Sequence, residues 1–218
     1  MNNNRIIRVQ GRSKSAQAPD RITFTFEISE IQKGFSAAVD GCKTRTESIR
    51  NAVASVGLDP KDLKTSSFQV DHAHEYVDDK KVHIGYEATH RMTITLDFDK
   101  DLVSHLLNSI NLGGNKPKLS TSFNIWDPEE LRCRVLEKAV RNATRRAEAI
   151  AKSANLRLGP IQLMEHDAIG IPCSTTYYRE EQNYFEMKGN SSPESRWTIE
   201  PQDLIAEAAV LVVWELIV

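Results

Sequence analysis

Between Val82 and Phe98 the chain alternates apolar and polar residues over its longest unbroken stretch. Ile84, Tyr86, Ala88, Met92, Ile94, Leu96 and Phe98 hold even positions, whereas Glu87, Thr89, Arg91, Thr93, Thr95 and Asp97 hold odd ones. Successive side chains on a strand point to opposite faces, so this pattern predicts one long strand with an apolar face and a wet face. Strands of that kind belong to sheets covered by helices on one side, usually antiparallel. Arg21 to Ile31 repeats the pattern, with Ile22, Phe24, Phe26 and Ile28 against Thr23, Thr25, Glu27 and Ser29. Lys64 to Val77 repeats it again with Phe68, Val70 and Tyr76, and the polar Asp78-Asp79-Lys80-Lys81 joins it to the long strand as a hairpin. For the even rows of both strands to share a face, opposed residue numbers must sum to an even number. The loop between them must therefore hold an odd number of residues, because a tight two-residue turn would send one row into solvent.

Two stretches change period from two to between three and four. Phe35, Val39, Cys42, Thr46, Ile49, Val53 and Val56 form one helical stripe that Gly57 ends, before a turn at Asp59-Pro60. From Glu129 to Ala154, Leu131, Val135, Ala139, Ala143, Ala147, Ile150 and Ala154 line one side of the longest helix. Its alanines predict close approach to a sheet. Asp127-Pro128 supplies a cap and a first-turn proline, and Asn155 a left-handed stop. Leu102 to Leu112 predicts a short helix ended by Gly113-Gly114.

Further strands are predicted at Arg5 to Gln10, closed by Gly11, at Leu119 to Trp126 and at Ile161 to Ile169. Leu204 to Val218 is apolar on both faces apart from Glu207 and Glu215, as in a strand buried mid-sheet or an edge covered by another subunit. The expected order is β-β-α-β-β-α-β-α-β-β. Gly170 to Asp203 is polar and proline-bearing, which predicts a mobile excursion or an interaction surface.

The 218 residues, 40% hydrophobic and 27% charged, are those of an ordinary globular protein able to bury a core without disulfides. A net charge of -2 argues against a general polyanion binder. Cys42, Cys133 and Cys173 are widely spaced with no C-x-x-C pair, so neither a disulfide framework nor a zinc knuckle is indicated. No run is long enough to span a bilayer, and M-N-N-N-R-I-I-R has no apolar signal region. The expected location is cytoplasmic as the sequence stands, or periplasmic if an export signal has been removed.

Candidate chemistry is sparse. His72 and His74 share a face by alternation, and His90 lies on the apolar face of the long strand, so the three are metal-ligand candidates. Satisfied histidines at a sheet edge or subunit contact are the plainer reading. Arg134, Lys138, Arg141, Arg145 and Lys152 form a basic helix sector, but Glu130, Glu137 and Glu148 precede Arg134, Arg141 and Lys152 by four residues. Such pairs neutralise much of the sector, and nucleic acid is not the expected partner. Nucleophile elbow, phosphate loop, dinucleotide fingerprint and H-E-x-x-H motif are all absent. Cys42 reads as a core residue; Cys133, beside Arg132 and Arg134, reads as an oxidation site. Tyr177, Tyr178, Tyr184, Phe185 and Trp197 stand in the polar excursion and are the partner-binding candidates.

Several motifs recur together in one family. V-Q-G at Val9 to Gly11 precedes A-P-D at Ala18 to Asp20, and V-G-L-D-P-K-D-L-K-T-S spans Val56 to Ser66. G-Y-E-A follows at Gly85 to Ala88, then Gly113-Gly114-Asn115, then A-V-R-N-A-T-R-R-A-E-A-I-A from Ala139 and L-x-L-G ending at Gly159. In this order and spacing the chain resembles the SIMPL-domain family of bacterial periplasmic and envelope proteins, which includes a vertebrate signalling protein associated with a pelle-like kinase. It departs from the family at Asn155, where glycine is common. The resemblance implies an α+β fold, ring- or channel-like self-assembly in some bacterial members, and links to stress defence. It supplies no catalytic residues. Pro19, Asp20, Thr65 and Gly85 match family motifs and read as turn and cap chemistry.

The expectation is therefore one α+β domain over residues 1–218, a mostly antiparallel twisted sheet covered on one face by two long helices and one short helix. The expected function is a non-enzymatic, self-assembling scaffold or protein-binding module without a cofactor, its covering surfaces the C-terminal strand and the 170–203 excursion. The alternatives are an adaptor that binds a kinase-like partner through residues 174–197, and a metal-dependent protein or enzyme using His72, His74 and His90.

Overall fold

The computed structural model describes residues 5–78, 80–112, 117–166 and 200–218. The elements are β1 (Ile6–Gln17), β2 (Arg21–Gln32), α1 (Phe35–Ser55), β3 (Lys64–Val77), β4 (Lys80–Asp97), α2 (Lys100–Leu112), β5 (Lys118–Asn124), α3 (Pro128–Ser153), β6 (Arg157–His166) and β7 (Leu204–Ile217). Both the α+β class and the order of elements match the sequence patterns. The strands divide between two sheets, however, where the patterns had been drawn as one. Each sheet belongs to its own compact unit.

The first unit holds the sheet ordered β3-β4-β2-β5. The long alternating strand β4 pairs antiparallel with β2 and with β3, so it lies inside the sheet. Its even row, Ala88, Met92, Ile94 and Leu96, is buried with Ile22, Phe24, Phe26 and Ile28 of β2. Against that face pack Ala38, Cys42, Ile49, Ala52 and Val53 of α1, and Val103, Leu106 and Ile110 of α2. Burial of each large apolar side chain there contributes on the order of 1.5–3 kcal/mol. The odd row is polar: Thr23 and Thr95 share a hydrogen bond of 2.9 Å, and Arg91 pairs with Glu27. Gly57, at φ +82°, follows the last turn of α1, and the Asp59 carboxylate accepts the Lys61 N–H at 2.9 Å to start a single 3-10 turn.

The second unit holds the sheet ordered β1-β7-β6, with both neighbours antiparallel to β7. The C-terminal strand is thus the centre of its sheet, which accounts for its two apolar faces and removes it as an edge for another subunit. A pairing between chain ends leaves no local signal in sequence. Of the predicted stripe of α3, Leu131, Val135, Ala139, Ala143 and Ala147 cover Ala206, Ala208, Val210, Val212 and Trp214, whereas Ile150 and Ala154 are exposed and Ala151 is buried in the last turn. Asp127 accepts the Glu130 N–H at 2.9 Å at the head of α3. At its foot Asn155 takes φ +56°, with Leu156 N–H bonded to the Ala151 carbonyl and Asn155 N–H to that of Lys152, a Schellman stop.

Gly11 does not close β1; the strand runs on to Gln17. A Cβ at Gly11 would overlap the Ala139 carbonyl oxygen and lie 2.7 Å from the Ala143 Cβ. The glycine and the alanine stripe are therefore two halves of one close contact between strand and helix. Ser13 reinforces it by donating to the Val135 carbonyl at 2.6 Å. Gly11→Ala should lower the unfolding free energy by about 1–3 kcal/mol, as overpacking does, and lower Tm accordingly. An unchanged melting curve would show that α3 is not seated on Gly11.

Candidate functional site

The β3–β4 ladder carries two irregularities, and they decide which side chains meet. Phe68 opposes His90 and His72 opposes Tyr86, sums that keep both even rows on the helix-covered face. The odd-numbered loop expected from that parity is corrected: Val77 pairs with Lys80, with only two residues between them, in a register of opposite parity. One extra residue, Ile84, reconciles the two: Ala73 pairs with Gly85 and His74 with His83. Gly85 sits at φ +147° with no room for a Cβ beside the Gln32 carbonyl, so this bulge requires glycine. A second shift at Ser66 sets Thr65 opposite Met92, on the helix-covered face.

That second shift completes a site around His90. Its Nδ1 lies 2.9 Å from the Thr46 hydroxyl of α1 and its Nε2 lies 2.9 Å from the Thr65 hydroxyl of β3. Thr46 donates to the Cys42 carbonyl at 2.9 Å, so it accepts from Nδ1–H; in the neutral ring Nε2 then accepts from the Thr65 hydroxyl. Burial, and then the Arg50 charge, hold the His90 pKa below its ordinary value. Phe68 meets the ring edge-on at 5.6 Å between centroids. Val39, Lys43, Thr46, Thr65, Phe68 and His90 line an open groove of about 330 Å³. Its surface is mostly apolar, with the Lys43 ammonium and the ring as polar elements. With a threonine hydroxyl on each ring nitrogen, the geometry ties α1 to the hairpin through His90.

The first shift gathers His72, His74 and His83 beside Tyr86. Ring centroids of His72 and His83 are 5.2 Å apart, those of His74 and His83 5.5 Å, and those of His72 and His74 6.4 Å. Tyr86 lies 5.0 Å from His72 and meets Phe35 of α1 edge-on at 5.8 Å. The set His72, His74 and His90 expected from alternation is thereby corrected: His90 belongs to the threonines, and His83 takes its place beside the other two. As the side chains stand, no three ligating groups among the described residues converge on a metal position. Sequence parity had put His83 on the wet face. A glycine interrupting the alternation at Gly85 is the signal that could have revealed the bulge.

The remaining candidates resolve simply. Cys42 is buried in the α1 stripe, and burial raises its thiol pKa, with Arg45 opposing and Glu30 reinforcing the rise. Cys133 is exposed and free. In the basic sector of α3, Arg134 pairs with Glu130 at 2.6 Å and Arg141 with Glu137 at 3.4 Å. The same helix ties itself to β1, with Arg146 donating to the Gln10 carbonyl at 3.0 Å and Lys138 to the Ser15 hydroxyl at 3.3 Å. Tyr177, Tyr178, Tyr184, Phe185 and Trp197 lie outside the described residues.

Comparison with known proteins places these features in context. The model of the SIMPL family, described as a protein of unknown function (DUF541), matches residues 7–214. The uncharacterized protein YggE of Edwardsiella ictaluri is 28% identical over 157 residues, covering 69% of this chain and 63% of its own length. YggE of Escherichia coli is 22% identical over 183 residues, covering 77% of this chain and 74% of its own. The chain thus spans less than two thirds of the Edwardsiella protein.

Because the folded pKa of His90 is depressed, its stabilising contribution is complete above about pH 6.5, the unfolded histidine value, and is lost as pH falls through the folded pKa. His90→Gln cannot titrate. The stability difference between parent and His90→Gln, from urea unfolding at a series of pH values, should be constant above pH ~7 and shrink below it. A difference independent of pH would show that the imidazole is not held neutral.

Proposed function

Since the chain belongs to the SIMPL family, a family of unknown function, we propose that it acts without catalysis, as a protein that associates with further copies of itself through uncovered strand edges. The observation that carries this reading is β6. Among the described residues it pairs with β7 alone, and from Pro160 to His166 every residue is exposed. Ile161 and Met164 oppose Trp214 and Val212, so they stand on the face that α3 covers, yet they are 50% and 45% exposed. An edge of that length with apolar side chains is a template for another strand.

The other sheet offers a second edge of the same kind. All of β3 except Val70 and Ala73 is exposed, Phe68 and Tyr76 included, and among the described residues β4 is its one strand partner. Two unlike edges on one chain suit a head-to-tail contact, which closes into a ring or grows on. This agrees with the assembly that family resemblance leads one to expect. A link to stress defence or the envelope rests on that resemblance alone. The adaptor reading through residues 174–197 concerns side chains outside the described residues, and among the described residues no observation favours it.

Light scattering coupled to size exclusion should give the parent protein a discrete mass of several subunits. Ile161→Lys with Met164→Lys should reduce that mass while shifting unfolding of the dissociated chain by no more than about 0.5 kcal/mol per site, as at exposed positions. A parent that elutes as a monomer at all concentrations would overturn the reading.

A further inference from the structure

The three imidazoles gathered by the Ile84 bulge, two of them on the β3 edge, suggest a chemistry that the strand-edge reading does not use. His72 and His74 are two residues apart on β3, so they project to one face, and His83 is the direct cross-strand partner of His74. Three imidazoles on a single tetrahedral ion have ring centres about 5 Å apart, given metal–nitrogen bonds of about 2.0–2.1 Å. The observed separations of 5.2, 5.5 and 6.4 Å approach that arrangement. All three side chains are exposed, so rotation of their side-chain torsions costs little packing.

Two further features point the same way. The His74 Nδ1 is 3.0 Å from the His72 carbonyl oxygen, to which it donates, and this fixes the tautomer that presents Nε2 as an electron-pair donor. Metal-binding histidines are commonly oriented by such a bond. The backbone is also specialised here: only the extra residue at Ile84, with glycine at φ +147° beside it, turns His83 to this face. We propose that His72, His74 and His83 form a surface site for a late first-row divalent cation such as zinc, with water completing its shell. Neutral nitrogen ligands and an open position suit zinc, nickel or copper over magnesium or calcium. Asp71 and Glu75 alternate to the opposite face of β3 and do not join the ligands.

The test is calorimetric titration of the whole chain, prepared without a histidine tag, with zinc chloride, alongside elemental analysis after dialysis. One zinc per chain is expected, with affinity falling at least tenfold in His83→Ala and in His72→Ala. His90→Gln should bind as the parent does, because His90 stands apart in the threonine site, and circular dichroism of each variant establishes that the fold is kept. Absence of zinc binding, or a folded His83→Ala protein that binds as tightly as the parent, would overturn the proposal.

Discussion

A strand side chain can face only one of two ways, and in the β3–β4 ladder that choice is reversed twice by single extra residues. The whole of the chemistry described here depends on those reversals. Ser66 brings the Thr65 hydroxyl to His90, and Ile84 brings His83 to His72 and His74. Without the first, His90 would lose the partner of its Nε2. Without the second, a two-residue turn at the tip would be incompatible with the paired apolar rows nearer the core. Bulges are costly in ladder hydrogen bonds, so their position beside the polar side chains of this sheet is informative.

Much of the fold was legible because its signals are local. The alternation from Val82 to Phe98 became β4, the stripes became α1 and α3, and Gly57, Asp127 and Asn155 act as stops and caps. The alanines of α3 predict a close approach, but its partner Gly11 looks in sequence like a strand terminator. What was illegible is non-local. That β7 lies between β1 and β6, and that the strands form two sheets, depends on pairings between distant segments. The site was half legible for a related reason. His72, His74 and His90 were singled out by residue type, but one extra residue exchanged His83 for His90, and alternation cannot count an insertion in advance. Parity of the apolar rows pointed to an odd-numbered loop; the extra residue lies instead within β4 at Ile84, beside the glycine at position 85.

The functional features are separable. His90 and its threonines tie α1 to the hairpin through hydrogen bonds at both ring nitrogens. The imidazole group at the hairpin tip faces solvent and is available to a ligand. Among the described residues β3 and β6 are edge strands with exposed apolar side chains, which in natural sheets are normally shielded by charge, brevity or a partner. Membership of a family of unknown function gives no reaction to explain, so the physical reading rests on what each surface lacks.

The register of the hairpin is the claim from which these features follow, and paired-cysteine oxidation tests it most directly. In a background with Cys133 and Cys173 replaced by serine, two pairs are compared, His74→Cys with His83→Cys and Gln69→Cys with Thr89→Cys. Each should form an intramolecular disulfide readily, because both pairs are directly opposed and an extra residue lies between them. If either pair fails while His74→Cys with Ile84→Cys, or Gln69→Cys with Ala88→Cys, closes in its place, the ladder has no bulge at Ile84. His83 would then not share a face with His72 and His74 in the register that keeps the apolar rows paired.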